Sequence, residues 1–168
     1  NRYQMGMFLS LAQRVYHKLL HLPKIVISCI SGYCIGGGLE LALCCDFRII
    51  DKTAKFQLPE VSRGLIAPLG PKNKLISLLG QGRVKEMVFT GRMIEASEAY
   101  AIGLADFLVP ALETFAFEKA HHIEQQDLEI LLLNKHVIEG SVNRKKAMLK
   151  TLFSEKFKKK LDEFTHGV

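Results

Sequence analysis

Glu40 sits where a carboxylate needs an explanation. It lies within SGYCIGGGLELALCCD (Ser31 to Asp46), among glycine, cysteine and aliphatic side chains, and no other acid precedes Asp46 in that stretch. An ionised carboxylate withdrawn from water without partners is strongly unfavourable, so a chain seldom keeps one idly. A second isolated acid, Glu60, follows AKFQLP. The helix, strand and tight turn expected between them can return the chain so that Glu60 comes beside Glu40. Two carboxylates converging on backbone N–H donors form an acid–base machine, in which one group removes a proton and the other supplies one. Burial and mutual repulsion would separate their pKa values and produce one acid and one base.

The glycines before Glu40 support the same chemistry. Gly36, Gly37 and Gly38 stand at an expected strand-to-helix turn, where a backbone without side chains can approach a ligand and the first helical N–H groups lack partners. Glu40 falls three residues after Gly37, on the same side of the nascent helix, so an oxygen held at the Gly37 N–H would have a carboxylate nearby. Two phosphate-binding motifs are excluded. Leu39-Glu40 occupies the place of the Lys-Ser/Thr of a P-loop, and the spacing of Gly32, Gly36, Gly37 and Gly38 is not G-x-G-x-x-G. The glycines alone also fit tight packing, and a glutamate also complements a positive helix end. The second account explains a surface glutamate better than one flanked by Leu39, Leu41, Ala42 and Leu43.

Other chemistries find less support. The four cysteines, Cys29, Cys34, Cys44 and Cys45, form no C-x-x-C pair and read as buried, reduced thiols. The six histidines show no H-x-H or H-E-x-x-H spacing; His121 and His122 beside Glu124 read as a solvated face, and no metal is expected. The net charge of +6 calls for an anionic partner, with much of the excess in NRKKAMLKTLFSEKFKKK (Asn143 to Lys160). That run lacks interleaved aromatics at RNA-binding spacing, so neither nucleic acid nor a membrane is an expected partner. No apolar run is long enough for a membrane span.

Positioning these residues requires particular elements. Arg2 to His21 reads as an amphipathic helix with Phe8, Ala12, Val15 and Leu19 on one stripe, ended by Pro23. Lys24 to Ser31 reads as a strand covered on both faces, Gly32 to Gly38 as a glycine-rich turn, and Leu39 to Cys45 as a short helix. Asp46 to Ile50 and Ala54 to Leu58 read as strands joined through Asp51-Lys52-Thr53. After an irregular segment from Pro59 to Pro71, helices are expected near Lys72 to Leu79, Arg83 to Phe89 and Glu95 to Gly103. A last strand follows at Ala105 to Pro110. Beyond Pro110 the pattern is helical, ending in one helix with Leu149, Phe153, Phe157, Leu161 and Phe164 on one side. The expected organisation is an α/β core over residues 1–110 and a helical region over 111–168.

SGYCIGGGLELALCCD, AKFQLPEVSRGL and FTGRMIEASEAYAIGLADFLVP, with the Glu40-to-Glu60 offset, resemble the crotonase (enoyl-CoA hydratase/isomerase) family. The similarity spans roughly Lys24 to Pro110, and several motifs agree in order. The resemblance implies a spiral of ββα turns followed by helices that mediate assembly as a homotrimer or a dimer of trimers. It implies a coenzyme A thioester, or an acyl-carrier thioester, whose carbonyl oxygen is held by two backbone N–H groups, with coenzyme A entering as part of the substrate and no separate cofactor. One N–H group maps onto Gly37, with Gly36, Gly38, Pro59, Gly64 and Pro68 lining the substrate. The other belongs to an A/S-G-x-D-like segment that this sequence does not contain, and missing N-terminal sequence is therefore expected. Both hydratase glutamates map, onto Glu40 and Glu60. Lys156 and Lys159 are expected near the nucleotide phosphates. The implied location is cytoplasmic, or the mitochondrial matrix in a eukaryote.

The sequence departs from the family after Glu60, where SRGLIAPLGPKNKL replaces a glycine-rich loop and Arg63 replaces an apolar residue. That loop borders the acyl pocket, so a polar or branched acyl group fits the change. Hydration of an enoyl thioester is the leading expectation. Isomerisation, decarboxylation or thioester hydrolysis is the alternative within the family, and a non-catalytic trimeric binding module is the alternative outside it.

Overall fold

The computed structural model describes residues 2–67 and 70–166. The chain divides into two compact units, Asn1–His121 and His122–Val168. The first opens with helix α1 (Arg2–Leu20) and then alternates between two small sheets: β1 (Ile27–Ile30), β2 (Tyr33–Ile35), α2 (Gly37–Leu43), β3 (Phe47–Ile50) and β4 (Lys55–Gln57). A 3₁₀ turn (Val61–Arg63) and another (Pro71–Asn73) lead into α3 (Lys74–Thr90), followed by β5 (Ile94–Glu95), α4 (Ala96–Ala101) and β6 (Phe107–Leu108). Helix α5 (Leu112–Glu124) crosses into the second unit, which holds α6 (Leu128–Ile138), α7 (Arg144–Leu152) and α8 (Glu155–His166).

The strand pairing explains how a linear sequence makes a site. One sheet has the order β1-β3-β6, all parallel; the other has β2-β4-β5, with β2 and β4 parallel and β5 antiparallel to β4. Successive strands therefore enter different sheets, and each turn of the chain adds a layer to both, as in the expected ββα spiral. β3 and β4 do not form a hairpin, although only a short Asp51 turn separates them. Asp51 closes that turn by accepting from the Thr53 N–H at 2.7 Å and the Thr53 hydroxyl at 2.6 Å.

Side chains from both sheets and the intervening helices share one core. Leu39 and Leu43 of α2, Ile50 of β3, Phe56 of β4, Leu75 and Met87 of α3, Ile94 of β5 and Leu104 are all buried in it. α3 joins the two helices expected on either side of Gly80, where φ 75° and ψ 158° interrupt the helical backbone. Gly91, at φ 59°, then caps its end through the Met87 carbonyl.

Several sequence expectations are corrected. The Gly32–Gly38 stretch contains a strand, β2, whose three residues are too few to show a period. β1 is not covered on both faces: Cys29 is exposed while its neighbour Ile30 is buried, and Cys34, Cys44 and Cys45 are buried. The apolar stripe of α1 does not mark a buried face, since Phe8 is 64% exposed and Val15 47%. The single last helix is two. Ser154 separates α7 from α8, its hydroxyl donating to the Thr151 carbonyl and accepting from the Phe157 N–H, which starts a new helix.

Candidate functional site

Parallel pairing of β2 with β4 sets the site. The register places Ile35 against Gln57, and the Gly36 N–H extends the ladder by donating to the Gln57 carbonyl at 3.0 Å. The residues that follow each strand are therefore neighbours: Gly36-Gly37-Gly38 after β2, and Pro59-Glu60 after β4. Gly36 turns the chain from strand to helix with φ 53° and ψ −115°, a conformation that strongly favours glycine. Its carbonyl accepts the first helical bond of α2, from the Glu40 N–H at 3.0 Å. The N–H groups of Gly37, Gly38 and Leu39 precede that bond and have no partner within the helix. Gly37 and Gly38 are exposed, which leaves this donor edge accessible.

The two acids flank this backbone. Glu40 is half-buried on α2; burial first, and the charge of Glu60 second, push its carboxyl above the ordinary value of 4.5. Glu60 points at Gly36, where a β-carbon would overlap its Oε1. Its other oxygen, Oε2, is buried with no hydrogen-bond partner among the described residues. The Glu60 backbone is fixed where its side chain is not, because its carbonyl accepts from the N–H groups of Arg63 and Leu65, each at 2.9 Å.

The remaining expected site residues fall in different places. Pro59 is buried, and its carbonyl accepts the Ser62 hydroxyl at 2.7 Å, shaping the turn after Glu60. Gly64 closes that turn with φ 70° and ψ 26°. Pro68 lies outside the described residues. Arg63 is exposed, and Ile66 is 96% exposed on the same segment. Lys156, in the second unit, pairs with Asp127, and Lys159 is exposed on α8.

Sequence reasoning missed four side chains around the site. Tyr16 of α1 donates its hydroxyl to the Gly37 carbonyl at 3.2 Å. Cys44 donates its thiol to the Glu40 carbonyl at 3.3 Å, and burial pushes that thiol up to about 11. Behind α2, the Cys45 carbonyl accepts from Lys74 Nζ at 2.9 Å and from Arg48 Nη1 at 3.3 Å. Arg48 carried a signal, as a charge inside an apolar strand. Tyr16 and Cys44 carried none that periodicity could reveal.

A sequence profile described as enoyl-CoA hydratase/isomerase matches residues 3–164, nearly the whole chain. The chain belongs to the enoyl-CoA hydratase/isomerase family. Among relatives, the crotonyl-CoA hydratase of Syntrophomonas wolfei is 41% identical over 102 residues, covering 61% of this chain and 39% of that protein. The mitochondrial methylglutaconyl-CoA hydratase 1 of Pyricularia oryzae is 44% identical over 105 residues, covering 62% and 30%. This family member thus spans less than half the length of either relative. The solved structure of the Bacillus anthracis enoyl-CoA hydratase superposes with a TM-score of 0.89 at 32% identity, over 99% of this chain and 69% of that one. A Thermobifida fusca structure in complex with acetoacetyl-CoA superposes at 0.74 with 26% identity, over 82% and 58%. The spiral described above is the crotonase fold. No described helix is long and apolar enough to cross a membrane.

Proposed function

We propose that the protein adds water to, or removes it from, an α,β-unsaturated acyl thioester of coenzyme A, using Glu40 and Glu60 as the acid–base pair. The observation that carries this reading is the Glu60 carboxylate, with one oxygen buried and unpartnered among the described residues, against Gly36 at the exposed N–H edge that Gly37 opens. A hydrogen-bonding substrate or water is the kind of partner that such an oxygen serves. In hydration, one carboxylate takes a proton from water as its oxygen bonds to the β-carbon. The β-carbon's share of the double bond passes through the α-carbon to the thioester oxygen, which the Gly37 N–H stabilises as an enolate. Collapse of that enolate takes a proton at the α-carbon from the other carboxylate. A preorganised donor of this kind contributes about 2.7–4 kcal/mol to transition-state stabilisation. No cofactor enters the scheme, because coenzyme A is part of the substrate.

The raised pKa of Glu40 supports the pairing, since burial and the charge of Glu60 favour the protonated, acid form that such a couple needs. The Thermobifida fusca neighbour's acetoacetyl-CoA ligand supports a coenzyme A thioester over a carrier-protein one. A homotrimer or dimer of trimers is part of the same proposal. It is supported by Phe153, in the turn that ends α7, and by Phe157 and Leu161 of α8, all of which lie exposed. A mitochondrial location is supported by the name of the Pyricularia relative.

The test is the loss of enoyl absorbance with crotonyl-CoA and with a branched enoyl-CoA. Glu40→Gln and Glu60→Gln should each lower kcat by about 10²–10⁴ while leaving coenzyme A binding near that of the parent. Turnover close to the parent's in either variant would end the two-carboxylate reading. A second reading, double-bond isomerisation, rests on the departure from the family's glycine-rich loop in SRGLIAPLGPKNKL. It requires conversion of a β,γ-enoyl thioester with no hydrated product.

A further inference from the structure

The donor edge of the site is built from consecutive glycines, the residues with most backbone freedom. A donor is useful in catalysis only if it is already aimed before charge develops. Hydrogen bonds on both sides of Gly37 hold this edge. Two are backbone bonds: the Gly36 N–H to the Gln57 carbonyl at 3.0 Å, and the Glu40 N–H to the Gly36 carbonyl at 3.0 Å. Both fix the peptides before Gly37. The peptide after it is held within α2, which begins at Gly37, and also by the Tyr16 hydroxyl, which donates to the Gly37 carbonyl at 3.2 Å. The same hydroxyl lies 3.3 Å from the point where a Gly37 β-carbon would stand, so Tyr16 occupies the place beside the side chain that Gly37 lacks.

We propose that Tyr16 is a positioning residue, whose hydroxyl pins the Gly37–Gly38 peptide and so limits rotation about Gly37, keeping the preceding peptide, which carries the Gly37 N–H, aimed at the substrate carbonyl oxygen. This rests on the thioester reading of the site. Among the described residues Tyr16 alone holds this edge through a side chain, so substitution can remove its bond without breaking the fold. The donor is present throughout the working pH range: burial, then the charges of Glu40 and Cys44, raise the Tyr16 phenol above its ordinary value of 10.0, which keeps its proton on. α1 also gains a role its exposed apolar stripe does not explain, since it delivers this hydroxyl from a separate part of the chain.

The experiment is Tyr16→Phe in the intact protein, which deletes one oxygen from a partly exposed side chain. Its kcat for crotonyl-CoA should fall about tenfold with KM nearly unchanged, a smaller loss than the roughly 10²–10³ expected for removing an oxyanion donor outright. A conjugated dienoyl-CoA bound at the site reports carbonyl polarisation directly, through the red shift of its absorbance. Tyr16→Phe should show a smaller red shift than the parent, at an unchanged melting temperature. An unchanged kcat and red shift would overturn the proposal. So would parallel losses of activity and melting temperature, which mark a structural role. If the parent hydrates no enoyl thioester, the functional reading fails first, and the dienoyl red shift still decides the role of Tyr16.

Discussion

Gly36 and Glu60 occupy each other's space: the carboxylate rests where any side chain on residue 36 would have to go. A β-carbon there would overlap Glu60 Oε1 and come within 3.5 Å of Cδ. The backbone of Gly36, at φ 53° and ψ −115°, excludes other residues on separate grounds. Gly36→Ala should therefore cost about 1–3 kcal/mol of stability in backbone strain and also displace the acid. The combined signature is a lower melting temperature with a loss of hydratase activity larger than the fraction unfolded explains. A variant that loses stability and keeps full kcat would separate Glu60 from the chemistry.

The proton affinity of Glu40 makes a prediction about stability. Burial and the charge of Glu60 raise its carboxyl above 4.5 in the folded state. The folded protein then holds this proton more readily than the unfolded chain does. Stability consequently falls as pH rises past the unfolded value, and the full penalty applies above the folded one. Glu40→Gln removes the penalty. The variant should melt higher than the parent at neutral pH, and the difference should close as pH falls toward 4.5. Thermal melts across that range check it; a pH-independent gap would place the Glu40 charge in water.

Much of this site was legible because its two acids sit in contexts where acids are rare, and because glycines mark the turn between them. The order of helices and strands followed from periodicity and from stops such as Pro23 and Gly91. The pairing did not, since β3 and β4 are adjacent in sequence yet enter different sheets, and a strand as short as β2 shows no alternation. α1 was read correctly as a helix but by the wrong face. Its stripe of Phe8 and Val15 is exposed, whereas Tyr16, which makes the contact to Gly37, lies off that stripe. A single tertiary hydrogen bond leaves no periodic trace.

Arg48 carries a test of what holds α2 in place. It is 2% exposed, yet its guanidinium meets Asp106 Oδ2 at 2.6 Å and donates through Nε to the Leu104 carbonyl at 2.8 Å. The Arg48 N–H also donates to Asp106 Oδ2, at 2.8 Å. Asp106→Ala strands a buried cation and should cost about 3 kcal/mol, the low end for a broken buried pair because Asp106 is 30% exposed. Arg48→Met, which removes the buried charge and keeps its bulk, should cost less. Urea denaturation of both variants checks the order; the reverse order would mean that the carbonyl contacts of Arg48 outweigh its ion pair.

The last two helices present an apolar and a basic face that separate experiments can distinguish. Phe153, Phe157 and Leu161 recur at four-residue intervals and are exposed, Phe153 at 75%. The side chain of Phe164, expected on the same stripe, lies outside the described residues. Exposed stripes of this kind mark interfaces, and the proposed trimer would cover this one. Phe157→Asp with Leu161→Asp should give a smaller species by light scattering at unchanged helical content. An assembly of parental size would remove the stripe from that role. On the basic side, Lys156 is already engaged by Asp127, whereas Lys159 is exposed and forms none of the ion pairs among the described residues. If this face reaches the coenzyme A phosphates, Lys159→Ala should weaken coenzyme A binding more than Lys156→Ala, and added salt should shrink the difference by screening. Equal affinities for both variants and the parent at low salt would leave these lysines as a solvated face.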